Sequence, residues 1–372
     1  VAIDIRIIKL ENYDWQGSRM ARKIYIIGNG FDLYFGLKTR VSDYIECLDK
    51  VLKDGVELYK GIGVYWNEFE EDLSNIDLEL IRDDRVNFPD YSSDRESDRD
   101  GVIWEVEDFL DNLFMARDRA LSIMVCQANN RLLCISNNLD PVEYNDDLFS
   151  EDDVLINFNY TDTVELLFLH TMDVFHIHGR YSLNESLIFG YREKGYDYYR
   201  FKDQTNRGIS EEILRAKQSI YDDDSLSLDE KNNQYLMLEH VAQYKYEDPY
   251  VDKQLDSILE FYEMNQKPFR YNELESYLKS LNIEEYDEVV VLGHSMGKVD
   301  KEYMEIVEKC IKPNRWTISV FVSGKSSNSI NNSFKERLKT LKEVDYTFFN
   351  KIILKEMTDL LNPKIESESI DL

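Results

Sequence analysis

Cysteine is scarce in this chain of 372 residues. The four present, Cys47, Cys126, Cys134 and Cys310, are scattered and form no C-x-x-C pair. A structural zinc site needs several converging thiolates or imidazoles, and this spacing offers none. Sparse, unpaired cysteines fit a reducing cytoplasm. Positive charge is also short: 44 Lys and Arg against 73 Asp and Glu leave a formal charge of −29. Nucleic acid and anionic membranes would repel such a surface, which excludes broad adhesion to either. A small anionic ligand is still allowed, because a local patch of backbone N–H groups can override the global field. No run approaches the roughly 18 uninterrupted apolar residues of a membrane-spanning helix. The N-terminus lacks the basic-then-apolar pattern of a signal peptide.

What is present is apolar mass: 43% hydrophobic and 13% aromatic residues, enough for a sizeable core and too much for a disordered chain. At roughly 150 residues per domain, the length fits two compact units or one core with large insertions. Residues 1–19 read either as a tag or as an upstream extension before Met20, and they carry no functional argument.

From Lys23 onward the pattern sharpens. Ile24-Tyr25-Ile26-Ile27 reads as a buried strand ending at Gly28-Asn29-Gly30, with a helix over Ser42–Leu52. Strand, glycine turn and helix form the opening of a nucleotide-binding α/β unit. Trp66, Phe69, Leu73 and Ile76 predict an amphipathic helix within 61–82. Residues 83–101 predict a solvated loop, Ile103 to Leu133 another helix, and 140–153 an acidic connection. Further strands are predicted at 154–160, 174–179, 186–190, 287–292 and 316–322, with a helix over 333–343. The order predicts a doubly wound, mostly parallel Rossmann-like sheet built from 20–60, 150–192 and 287–345. Helical insertions would occupy 61–149 and an acidic stretch over 193–286, leaving 346–372 as a tail.

Three places carry chemistry. In Gly28-Asn29-Gly30 the missing side chains would let the backbone approach a pyrophosphate, although the full G-x-G-x-x-G is absent. A tight turn that binds nothing explains the same residues. Asp32 would repel a phosphate, and instead fits local N–H groups or a ribose hydroxyl. Asn159 and Asp162 follow one strand, and His178-Gly179 end the next, where open α/β sheets place their sites. A histidine near its ordinary pKa can take a proton at neutral pH, Asn can orient water or a ribose, and a carboxylate can support an oxocarbenium ion. Asn159 and Asp162 would equally serve as helix caps. His176 and His178 share a strand face, but no Cys or carboxylate cluster makes them a metal site. His170, on the preceding helix, reads as structural.

The third place, Gly293-His294-Ser295-Met296-Gly297, matches the G-x-S-x-G elbow of α/β-hydrolases in pattern and context. The elbow needs a histidine downstream, and none of the five follows Ser295. The loop therefore reads as a second ligand-binding turn, with a packing turn as the alternative.

The stretches IIGNGFDLYFGLKTRVSDY (26–44), YWNEFEEDL (65–73), LINFNYTDTVE (155–165), HIHG (176–179) and VVLGHSMGKVDKEYM (290–304) together resemble the AbiH family of bacteriophage abortive-infection proteins. The resemblance implies phage defence by disabling the infected cell. A more distant similarity is to the sirtuin-like NAD-binding fold. There a glycine-rich turn, an Asn-x-Asp loop, a His-Gly and a late Gly-x-Ser turn occur in this order. The match falls on Gly28 and Gly30, on Asn159 and Asp162, on His178 and Gly179, and on Gly293 and Ser295. The spacing of Asn159 to Asp162 is one residue longer than in sirtuins, and the zinc-binding cysteine module is missing. That departure implies NAD hydrolysis rather than protein deacetylation.

The resulting expectation is an NAD glycohydrolase. Gly28, Asn29, Gly30 and Asp32 would serve the diphosphate and ribose, with His178, Asn159 and Asp162 as catalytic groups. Gly179, Gly293, His294 and Ser295 would complete the dinucleotide contacts. A phage-derived trigger and a homo-oligomer are expected partners. The alternatives are a non-catalytic nucleotide sensor, a Ser295-dependent hydrolase and, against the charge, a nuclease.

Overall fold

The computed structural model describes residues 22–362 other than 68–71, 93–94, 138, 140–141, 143, 146–147, 169–172, 184, 186, 192–200, 202–214, 222–225, 246–247, 282–285 and 323–326. The N-terminal extension, Phe69, His170 and the acidic loop at 222–224 lie outside the described residues.

Its centre is a six-stranded sheet. The strands are β1 (Arg22–Ile27), β2 (Val154–Asn157), β3 (Asp173–His176), β4 (Tyr286–Leu292), β5 (Arg315–Val320) and β6 (Ile352–Glu356). All pairings are parallel, in the order β3-β2-β1-β4-β5-β6. Parallel strands covered on both faces need apolar residues in succession, and RKIYII and YDEVVVL supply them. Side chains alternate between the faces. Ile24, Ile26, Val154, Ile156, Val289, Val291, Trp316 and Ile318 point into one core, and Tyr25, Ile27, Leu155, Val290 and Leu292 into the other.

The first core is covered by helix Lys301–Ile311, which buries Tyr303, Met304, Val307, Cys310 and Ile311 at helical spacing. The second face is covered partly by α5 (Glu96–Ser136), preceded in the chain by α1 (Asn29–Tyr34), α2 (Val41–Val51), α3 (Gly55–Gly61) and α4 (Leu78–Arg85). α5 has 41 residues, so it runs about 60 Å at 1.5 Å per residue. Its inner stripe is continuous. Val106, Leu110, Leu113 and Ala120 pack in a helical lobe with α2, α3 and helix Pro249–Met264. Ala128, Leu132 and Ile135 pack against the sheet. One helix thus joins the insertions to the sheet.

Four expectations need correction. The apolar spacing of Trp66, Leu73 and Ile76 is not one helix: Trp66 has a left-handed φ of 55°, a single 3₁₀ turn covers Asp72–Asn75, and Asp77 caps α4 by accepting from the Glu79 and Leu80 N–H groups. A turn-rich segment buries the same apolar residues. Residues predicted as loop over 83–101 are claimed at both ends by α4 and α5. Residues 187–189 form no strand: Ile188 donates to the His178 carbonyl, and Tyr191 makes an isolated bridge to Gln266. Finally, the stretch read as a tail supplies β6 and helix Met357–Leu361. β6 extends the sheet because Phe348, just before it, stacks on Trp316 with ring centroids 4.0 Å apart.

Candidate functional site

The strand order reverses between β1 and β4, because the chain leaves β1 toward β2 and β3 and returns to build β4, β5 and β6 on the other side. In open parallel sheets the crevice beyond the carboxyl ends of the strands at such a reversal receives ligands. Here a cavity of about 990 Å³ lies at that position. It is lined by Gly28, Asn29, Gly30 and Asp32 after β1, by Phe158, Asn159, Tyr160 and Thr161 after β2, by His178 after β3, and by Gly293, His294, Ser295 and Asp300 after β4. Ser319 to Phe321 and one side of helix Ser327–Val344 close it.

The two glycine turns are packed into one another. Gly28 donates to the Leu292 carbonyl and Gly30 to the Gly293 carbonyl, at 2.9 and 2.7 Å. A Cβ on Gly28 would sit 2.5 Å from the His294 Cα, and one on Gly30 2.8 Å from the Gly293 Cα. Gly293, with φ +69°, would bring a Cβ to 2.1 Å from the Phe31 nitrogen. The glycines are thus required by loop-to-loop contact, and the N–H groups of Gly28 and Gly30 are engaged within the protein. Asn29 turns to Thr39, accepting from its hydroxyl at 2.6 Å and donating to its carbonyl at 2.9 Å.

Asp32 is buried between the turns. Its oxygens accept from the Thr161 and Thr163 hydroxyls, both at 2.6 Å. Burial raises its pKa to about 6, against the lowering effect of those hydroxyls and of Asn159. Asn159 donates to the Gly28 carbonyl at 3.1 Å, tying the end of β2 to the end of β1.

Phe158 separates two buried histidines, with ring centroids 5.7 Å from His178 and 4.4 Å from His294. His178 also stacks on Tyr160, and its Nδ1 is buried without a partner among the described residues. Burial, and then the nearby Lys267, His294 and Arg270, hold its pKa well below the ordinary imidazole range. It is a neutral base at neutral pH. His294 is pushed down to about 3 by burial, Arg337 and Lys267. Its Nδ1 accepts from the Met296 N–H at 2.9 Å, and its Nε2 lies 3.4 Å from Asp300. His294 therefore fixes its own loop rather than activating Ser295.

Two expected residues do not line the cavity. Asp162 occupies the N-cap position of α6 (Thr163–Leu167) without capping it. Its carboxylate instead accepts from Arg180 at 2.5 Å, Ser182 at 2.8 Å and Asn129 at 2.6 Å. Gly179, with φ +78°, lines a separate cavity of about 610 Å³ together with Arg180, Glu165 and His176. The two histidines of HIHG part company there. His176 ends β3 with its Nε2 2.6 Å from Glu165, while His178 lies past the strand and enters the crevice. Among the described residues no group of His, Cys, Asp and Glu could hold a metal ion, and no helix is long and apolar enough to cross a membrane. Sequence reasoning missed Arg337, Lys298 and Asp300 at the crevice. Each lies on a polar helix or loop stretch whose inward face is set only by tertiary packing.

The fold and crevice define an α/β protein of the Rossmann type, with a ligand-sized cavity at its strand-order reversal. Residues 24–321 match the family described as bacteriophage abortive infection AbiH. The chain belongs to that family, which implies a role in phage abortive infection. No curated protein and no solved structure gives a significant match.

Proposed function

We propose that this chain is an effector of abortive infection that binds NAD in the crevice and hydrolyses its nicotinamide–ribose bond. One observation carries the reading: His178 and Asn159 line the same cavity as both glycine turns, although they come from distant parts of the sequence. In the reaction the C1′–N bond breaks, nicotinamide leaves neutral with the bonding electrons, and water adds to the ribosyl cation. His178, neutral at physiological pH, accepts the proton of that water. Asn159 orients the water or a ribose hydroxyl. Asp162 is committed to Arg180, so Asp32 replaces it as the carboxylate at the crevice that favours developing positive charge.

The test is nicotinamide release by the purified chain, with and without phage lysate, beside His178→Ala and Asn159→Ala. Release that both substitutions abolish supports hydrolysis. Release that neither reduces defeats it.

A second reading is a nucleotide sensor without turnover. The engaged glycine N–H groups and the outward commitment of Asp162 favour it. Tight binding of NAD or ADP-ribose, with no nicotinamide formed even in infected cells, would decide for the sensor.

A further inference from the structure

Arg337 is a cation in the crevice that forms no ion pair among the described residues. It stands on helix Ser327–Val344 and lines the cavity. Its guanidinium donates to the main-chain carbonyls of Ser295 and, at 2.6 Å, of His294. No carboxylate among the described residues pairs with it, and its Nε–H is buried without a partner. In a chain where acids outnumber bases 73 to 44, an arginine left without an acid is unexpected on composition alone.

We infer that Arg337, supported by Lys298 and the hydroxyls of Ser333 and Thr340, is the phosphate-binding element of the crevice and receives the diphosphate of the nucleotide proposed above. The inference rests on that reading for the identity of the ligand, but not for the site. Three arguments support it. The glycine turns cannot supply the N–H groups of Gly28 and Gly30, which are donated to Leu292 and Gly293. None of the carboxylates that line the cavity is paired with Arg337 among the described residues: both oxygens of Asp32 are held by threonines, Asp300 has one oxygen 3.4 Å from His294 Nε2, and Glu336 is exposed at the rim. Ser333, Arg337 and Thr340 follow one another at i, i+4 and i+7, so one face of the helix lines the cavity with a guanidinium flanked by two hydroxyls, and Glu336 lines it from the exposed side of that face.

The two carbonyl bonds hold the guanidinium plane in place and leave further N–H donors, the fork that phosphate oxygens match. Burial lowers the Arg337 pKa to about 10, as expected of a cation lacking a compensating charge. Arg337 lies beyond residue 321, where the family match ends, on the helix that connects β5 to β6.

The experiment measures binding of ADP-ribose and of inorganic pyrophosphate to the full chain by calorimetry, for wild type, Arg337→Gln and Lys335→Gln. Lys335 is exposed on the same helix and controls for loss of one positive charge. Arg337→Gln should weaken both ligands about 10- to 100-fold, and Lys335→Gln less than about 2-fold. Unchanged ADP-ribose affinity in Arg337→Gln overturns the phosphate assignment and leaves the nucleotide reading standing. Arg337-dependent binding of pyrophosphate, with no binding of ADP-ribose or NAD, does the reverse. Binding of neither ligand by wild type overturns both. Where Arg337→Gln does not fold, phenylglyoxal labelling of wild type decides: protection of Arg337 by pyrophosphate supports the assignment, and unprotected labelling overturns it.

Discussion

Replacing Asp32 by Asn should make this protein more stable at neutral pH. Asp32 is fully buried, and burial raises its pKa from 3.8 to about 6. Between those values the folded chain binds the proton more tightly than the unfolded chain. The contribution of this group to stability therefore falls as pH rises from about 4 to about 6, and stays low above. A shift of about two units corresponds to about 3 kcal/mol at 1.36 kcal/mol per unit. Asn has the shape of the protonated acid, and the Thr161 and Thr163 hydroxyls that donate to Asp32 can rotate to accept from its amide. Asp32→Asn should then gain up to about 3 kcal/mol at pH 7.5, and about half of that at pH 5. Unfolding entropy of about 2.1 cal/mol/K per residue converts the neutral-pH gain to about 4 °C in melting temperature. Differential scanning calorimetry of both proteins across that range measures it. A variant that melts lower than wild type at pH 7.5 would refute the argument, since the threonine bonds would then outweigh the cost of burying the charge. A carboxylate kept in the crevice against stability is what a functional role demands.

Gly293→Ala should cost more than about 3 kcal/mol and lower the melting temperature sharply, because its Cβ would meet the Phe31 nitrogen at 2.1 Å and its φ of +69° is strained for any L side chain. Phe348→Ala, which removes the ring stacked on Trp316, should cost about 3–5 kcal/mol in urea unfolding. A surface-tail position would show almost no change. Nicotinamide release should rise through about pH 6 as Asp32 ionises and be flat from about pH 7.5 to about pH 9, because His178 titrates well below that window. A rate unchanged through pH 6 would mean that the Asp32 carboxylate plays no part in the reaction.

The sheet was largely legible because parallel strands buried on both faces must be written as short apolar runs, and Ile24–Ile27, Val154–Ile156 and Val289–Leu292 are such runs. Their pairing partners were not legible, since register depends on contacts across more than a hundred residues. β6 escaped notice because IILKE is short and half-exposed at the sheet edge. At the site, the position of Asn159, His178 and the late glycine turn just past strand ends brought them to one crevice. Asp162 turns away from the crevice because five residues past the end of β2 a carboxylate can face either way. Arg180 and Asn129, from distant elements, decide its direction. The glycine turn after β1 is legible as a place of close approach, but its contact is not: Gly28 and Gly30 meet the β4 turn, which no local pattern encodes.

The chain's charge of −29 and a phosphate site at Arg337 make opposite demands on an approaching anion, and distance separates them. Exposed charges act across the solvent and are screened beyond about 8 Å at physiological salt, whereas a guanidinium inside the crevice acts at contact. At low ionic strength the unscreened acidic surface should repel ADP-ribose before Arg337 can attract it. Association should therefore accelerate as salt rises from about 10 to about 150 mM, the reverse of an electrostatically steered encounter. Dissociation, governed by the buried contact, should change little over the same range. Stopped-flow measurement of both rates tests the separation. An association rate that falls steadily with salt would mean that a positive field extends out of the crevice, and the basic residues responsible would then have to be sought around its rim rather than at Arg337.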